Sequence, residues 1–112
     1  MSPTAYKILT RKEWERLKGE GTFAGAPVDL ADGYIHLSAP DQVAETAAKH
    51  FAGRDDLVLA EVDLIKLDGV KWEPSRGGQL FPHVYGPLPL SAVIRVQALR
   101  VTGEGLERNE LR

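Results

Sequence analysis

A chain of 112 residues with 14 Lys and Arg against 16 Asp and Glu, a net charge of −2 and no cysteine reads as one domain, able to bury about two thirds of its unfolded surface without cross-links. The missing cysteine excludes a disulfide framework, a thiolate metal site and a cysteine nucleophile, and the charge balance argues against the broadly basic surface of a nucleic-acid binder. No apolar run approaches the roughly 20 residues that span a bilayer and no leader pattern opens the chain, so a soluble, cytoplasmic protein is expected.

Ala5 to Leu9 has the β-branched and aromatic content of a short strand. Thr10 then reads as a helix N-cap with Glu13 completing a capping box. Trp14 and Leu17 share the inner face of that helix, and Gly19-Glu20-Gly21 ends it. Arg11, Lys12, Arg16 and Lys18 form its solvated side. Val28-Asp29-Leu30, a turn at Ala31-Asp32-Gly33, and Tyr34 to Ser38 read as a hairpin, because Asp-Gly between apolar runs favours positive φ. Alternation along its second strand sends Ile35 and Leu37 to the core, leaving Tyr34, His36 and Ser38 in a row on the other face. An aromatic ring, an imidazole and a hydroxyl in one row suit a ligand. The same pattern also suits a structural histidine, with Ser38 capping the next helix ahead of Asp41.

Pro40 to Phe51 is the strongest helix, with Pro in its first turn and Val43, Ala44, Ala47, Ala48 and Phe51 along an apolar stripe. His50, near its C-terminus, is favourably placed when protonated. After a turn at Gly53 to Asp56, Leu57 to Leu64 is the longest apolar run and reads as a central strand, with Glu61 and Asp63 at its emerging end. A turn at Leu67-Asp68-Gly69 leads into a short strand, Val70 to Glu73. Past Pro89-Leu90-Ser91, Ala92 to Val101 is a β-prone terminal strand. The charged tail from Thr102 to Arg112 is expected to fray or form one weak helical turn.

Between these strands, Trp72 to Leu88 holds three of the seven prolines and three of the eleven glycines, which excludes a regular helix and suggests a binding loop or a packed irregular connection. If the part around His83 is extended, Phe81, His83 and Tyr85 share a face. Two ring-bearing rows facing each other make a cleft suited to a planar ring with polar groups, with His36 and His83 on opposite walls. Arg76 before two glycines suits a phosphate or carboxylate, or else pairs with Glu73. Ser38 and Ser75 are nucleophiles only beside a histidine. His36, His83 and Glu73 lack the local spacing of a metal site, and the phosphate-loop, dinucleotide-binding and His-Glu-x-x-His patterns are absent.

The segments Asp32 to Ser38, Trp72 to Gly78 and Phe81 to Leu88, with Tyr6-Lys7-Ile8, together resemble the bacterial family called domain of unknown function 952, over about Tyr6 to Val101. The resemblance implies an α+β fold similar to that of ADP-ribosyltransferases, a bent, mostly antiparallel sheet with two main helices around an NAD cleft. His36 with Ser38 is similar to the His-x-Ser/Thr element of such enzymes, where the histidine binds a ribose hydroxyl. Tyr85 or Tyr34 would stack on nicotinamide, and Arg76 and His83 would complete the cofactor site. Catalysis would fall to Glu73 and His36, yet the late strand Ala92 to Val101 lacks the glutamate those enzymes bring there. Glu73 therefore substitutes, or the protein binds a nucleotide without that chemistry. A third option resembles the RNA 2′-phosphotransferases, with Arg76 and His83 as the players, and a protein-interaction domain is the alternative outside nucleotide chemistry.

Overall fold

Thr10 closes β1 (Thr4–Thr10) and opens α1 (Arg11–Glu20). Its Oγ1 accepts from the Glu13 amide at 3.1 Å while Glu13 Oε1 accepts from the Thr10 amide at 2.9 Å, the expected capping box. Gly21, at φ 77°, stops the helix, and Trp14 and Leu17 are buried as expected. The structure, a computed structural model, describes residues 3–111, the side chain of Arg76 excepted.

The main sheet is antiparallel with strand order β1-β4-β8-β9, where β4 is Leu57–Asp63, β8 is Val93–Thr102 and β9 is Gly105–Glu110. The central position of β4 explains its unbroken apolar run, since both its faces are covered. Val58, Ala60 and Val62 pack into a core shared with Leu9 and with Trp14 and Leu17 of α1. Leu57 and Leu59 pack on the other side with Ile8, Leu99 and two residues of α3 (Val43–His50), Val43 and Ala47. Each such fully buried side chain contributes about 1.5–3 kcal/mol from desolvation. At the strand end Glu61 pairs across the sheet with Arg95, and Asp63 accepts from the Ile65 amide at 3.0 Å to cap a 3-10 turn.

A second antiparallel sheet has the order β3-β6-β5, with β3 Ile35–His36, β5 Val70–Pro74 and β6 Leu80–Val84. A two-stranded ribbon pairs β2 (Thr22–Phe23) with β7 (Leu88–Pro89). The two larger sheets meet where Ser38 bridges to Tyr6 of β1, the Tyr6 amide donating to Ser38 O at 2.7 Å and the Ser38 amide to Tyr6 O at 2.9 Å.

Four expectations are corrected. Residues 27–32 form no hairpin arm but a third helix, α2 (Pro27–Asp32). Pro27 occupies its first turn, Asp29 accepts from the Ala26 amide at 2.8 Å, and Gly33 (φ 87°) ends it, its N–H donating a hydrogen bond to Asp29 O. Asp32-Gly33 does supply the positive φ that was read there, as a helix stop instead of a strand turn. Second, α3 begins at Val43 and Ser38 does not cap it. Gln42 Oε1 accepts from the Ala39 amide at 2.9 Å, while Ser38 Oγ faces Thr46 Oγ1 at 3.0 Å. Of the expected stripe, Ala44 and Ala48 are exposed.

Third, most of the Pro- and Gly-rich segment is regular, because β6 runs through Pro82. The Pro82 carbonyl serves the β3 side, accepting from the Leu37 amide at 3.0 Å. Its missing N–H falls on that same side, opposite Leu37, just past the last paired residue of β3, so a single reciprocal bond is forgone at the strand end. The irregular part shrinks to the bend at residues 85–87 and a tight turn in which the Ser75 amide donates to Gln79 O at 2.8 Å and Gly77 and Gly78 take positive φ. Fourth, the tail does not fray. β9 pairs with β8 from Thr102↔Gly105 to Gln97↔Glu110. Its side chains are almost all exposed, so main-chain bonds form the strand and its charges protect the sheet edge. Among the described residues no helix is long and apolar enough to cross a membrane.

Candidate functional site

Pairing of β3 with β6 sets His36 directly opposite His83. Residues opposite one another in an antiparallel pair share a face, so the two imidazoles are neighbours on one wall, ring centroids 5.4 Å apart and edge-on at 72°. The expectation of opposite walls is thereby corrected. The two rows belong to adjacent strands of one sheet, and the Tyr34 ring packs against both imidazoles, 4.1 Å from His83 and 4.7 Å from His36. Tyr85 lies 5.2 Å from Tyr34.

His36 is held by two carboxylates. Nδ1 is 2.6 Å from Asp29 Oδ1 and Nε2 is 2.9 Å from Asp32 Oδ2. Both contacts are hydrogen bonds only when the ring carries both protons. Asp29 is 1% exposed and also meets Lys7 Nζ at 2.9 Å and the His36 amide at 3.0 Å. Lys7, likewise buried, donates further to His36 O at 3.1 Å. Burial pushes the Asp29 carboxyl up, but the Lys7 ammonium and the bonds from His36 outweigh it and leave its pKa below the usual carboxylate value. Lys7 and His36 thus engage the two carboxylates, and α2, which carries both acids, is tied to β1 and β3. Gly25 lets this happen: at φ 132°, a Cβ there would come within 2.8 Å of the Asp29 Cβ.

His83 is 2% exposed and engaged on one side only. Its Nδ1 lies 2.8 Å from Glu73 Oε1, which also accepts from the Tyr85 hydroxyl at 2.7 Å. The Tyr85 hydrogen bond, followed by that of His83, holds the Glu73 carboxyl below its ordinary value, while the Tyr85 phenol is pushed up to about 12 by the same carboxylate. The other nitrogen of His83, Nε2, is closed to solvent and has no hydrogen-bond partner among the described residues.

Beside these rings is a cavity of about 450 Å³. His36, His83, Ser38, Asp32 and Ser75 give it polar groups, while Phe51, Phe81 and Leu37 give it apolar surface. The structure therefore brings together His36, Ser38 and His83 of the residues singled out from sequence, with Tyr34 packed on the imidazoles. Glu73 stands behind His83, and neither it nor Tyr85 is among the residues lining the cavity. The side chain of Arg76 lies outside the described residues, and with it both the anion-site and the phosphotransferase readings. Among the described residues, no group of three or more His, Asp or Glu is arranged to hold a metal ion.

Sequence reasoning missed Lys7, Asp29 and Asp32. One signal was available for Lys7, which alternates with Ala5 and Leu9 and so points into the core, where a charge requires a partner. Asp29 stands three residues after Ala26 with Pro27 between, the spacing of a helix start. That these two meet across 22 residues of sequence has no local signature.

Solved structures that resemble this chain include two of one protein. The crystal structure of protein CC0527 from Caulobacter crescentus is 51% identical, with 92% of this chain and 91% of that chain covered and a TM-score of 0.86. The solution NMR structure of CC0527 gives 51% identity, 92% and 90% coverage and a TM-score of 0.80. No curated protein matches the chain. The model of the family described as "Protein of unknown function (DUF952)" matches residues 8–96, and the chain belongs to that family.

Proposed function

We propose that this protein binds the nicotinamide–ribose end of NAD, or of a related nucleotide, in the cavity beside His36 and His83, on a fold of the ADP-ribosyltransferase kind. The observation that carries the reading is a cavity of about 450 Å³ with two imidazoles and a hydroxyl on one side and Phe51 and Phe81 in its lining. Sites for ring-bearing ligands have this character, mostly apolar walls with a few convergent polar groups. The lining suits a planar ring and a ribose. Among the described residues it suits a pyrophosphate less well, because Asp32 contributes to it and the Lys7 charge is committed to Asp29. The phosphates would lie outside, toward solvent.

Within this reading, binding without ADP-ribosyl transfer is favoured. Glu73 Oε1 already accepts from two donors, and a carboxylate so engaged is poorly disposed to stabilise positive charge developing at a sugar. The test is calorimetric titration with NAD alongside an assay of nicotinamide release, on wild type and Glu73→Gln. Saturable binding without release supports the reading. Release that Glu73→Gln abolishes replaces it with the transferase, and absence of binding ends it.

A further inference from the structure

We infer that His83 Nε2 is a fixed hydrogen-bond acceptor, so that the cavity takes a ligand presenting an O–H or N–H to it, and discriminates against one presenting a carboxylate or phosphate oxygen. The inference deepens the proposed function and rests on it for the identity of the ligand. For the state of the imidazole it rests on the contacts of the ring alone.

The argument starts at Glu73. Tyr85 and His83 both reach Oε1, at 2.7 and 2.8 Å. A phenol gives the carboxylate its only proton, and a carboxylate has none to give, so the His83 Nδ1 must donate. That settles the tautomer at one nitrogen. At Nε2 there are two choices, a lone pair or a second N–H. The atom is buried with no acceptor near it among the described residues, and a stranded donor is the rarer and costlier orphan. The Nδ1–H ring, with the Nε2 lone pair vacant, is the form consistent with the Glu73 contact and with the burial of Nε2.

A vacant buried acceptor on a residue that lines a cavity determines which ligands that cavity admits. A hydroxyl or carboxamide N–H satisfies it. An anionic oxygen meets lone pair against lone pair, with Asp32 in the same lining adding repulsion. Since Nε2 is closed to solvent in this conformation, an incoming donor reaches it once a packed neighbour moves. Tyr34, at 4.1 Å from His83, is the nearest ring contact described.

The experiment is long-range ¹H–¹⁵N correlation of the histidine rings in the full chain, without ligand, at neutral pH. His83 is expected to show a protonated Nδ1 and an unprotonated Nε2. Tyr85→Phe, which leaves the Glu73 bond to His83 in place, keeps that pattern, and Glu73→Leu, which removes it, yields a tautomer mixture. A protonated Nε2 in the wild type, or a pattern indifferent to Glu73→Leu in a folded variant, overturns the inference. The ligand arm compares NAD with its analogue bearing a carboxylate in place of the carboxamide and with 2′- and 3′-deoxyribose analogues. At least one analogue is expected to bind tenfold or more weakly to wild type but not to His83→Phe. Equal affinity across the panel in wild type refutes the selectivity. Failure of NAD itself to bind, with the ring pattern as expected, refutes only the nucleotide assignment.

Discussion

His36 and His83 face each other across one antiparallel register position, yet they are wired in opposite senses. Both nitrogens of His36 meet carboxylates. His83 gives one nitrogen to Glu73 and keeps the other without a partner among the described residues. One ring ties α2 down through both of its nitrogens, and the other holds a nitrogen with unused hydrogen-bonding capacity. The expectations below follow from that asymmetry.

Asp29→Asn should destabilise the fold strongly. It leaves Lys7, 6% exposed, beside a neutral amide, and loss of one partner from a buried pair costs about 3–5 kcal/mol. Asp32→Asn removes a carboxylate whose side chain is 46% exposed, and the expected loss is under about 1 kcal/mol. Urea denaturation of both variants measures the contrast, and equal losses would show that the buried pair is not what anchors α2.

The same carboxylate sets an acid limb. Its folded pKa lies below the ordinary value of 3.8, so the stability it contributes is fully present above that value and is lost as pH falls through the folded pKa. The gap in unfolding free energy between wild type and Asp29→Asn should therefore narrow as pH drops below about 4. Denaturation curves at a series of pH values provide the check.

At the alkaline end, Tyr85 ionises near 12 because its hydroxyl donates to Glu73. A raised folded pKa means that this contribution is intact below the ordinary value of 10.0 and disappears as pH rises through about 12. Ultraviolet titration should find a late-ionising tyrosine among the three in the chain. In Glu73→Gln it should move back toward 10.0, the ordinary value.

Gly25→Ala tests the packing that seats Asp29. Its φ of 132° is strained for any side chain, and the new methyl would sit 2.8 Å from the Asp29 Cβ. A loss of about 1–3 kcal/mol is expected from the backbone alone. If the Asp29 network is disturbed, the His36 ring resonances should shift as well, whereas an unchanged His36 spectrum would confine the damage to the backbone.

How much of this was legible depended on whether the signal was local. The capping box at Thr10 and Glu13 and the central strand at Leu57 are written in consecutive residues, and both stand where they were read. The row of Tyr34, His36 and Ser38 was legible as a pattern, but not its neighbour. Strand pairing between β3 and β6 is a long-range fact, and it turned two expected walls into one. α2 was missed because six residues carry less than two helical turns of periodicity, and Asp-Gly marks a helix stop as readily as a hairpin. β9 was missed because its ladder is main chain and its side chains face water. The Lys7–Asp29 pair depends on β1 passing beneath α2, and no spacing encodes that.

The Tyr6–Ser38 bridge has a mechanical consequence. The cavity is lined on one side by Tyr6, Lys7 and Ile8 of β1 and on the other by His36, Phe81 and His83 of the second sheet, so it straddles a seam. Across that seam, among the described residues, the two backbones are stitched by one reciprocal pair of hydrogen bonds, Tyr6 with Ser38, beside the side-chain tie from Lys7 Nζ to His36 O. A small rotation of one sheet on the other would change the width at the seam by straining those few contacts, without melting a strand. The amides of Tyr6 and Ser38 are the places where such breathing would register first, as faster hydrogen exchange than in their strand neighbours.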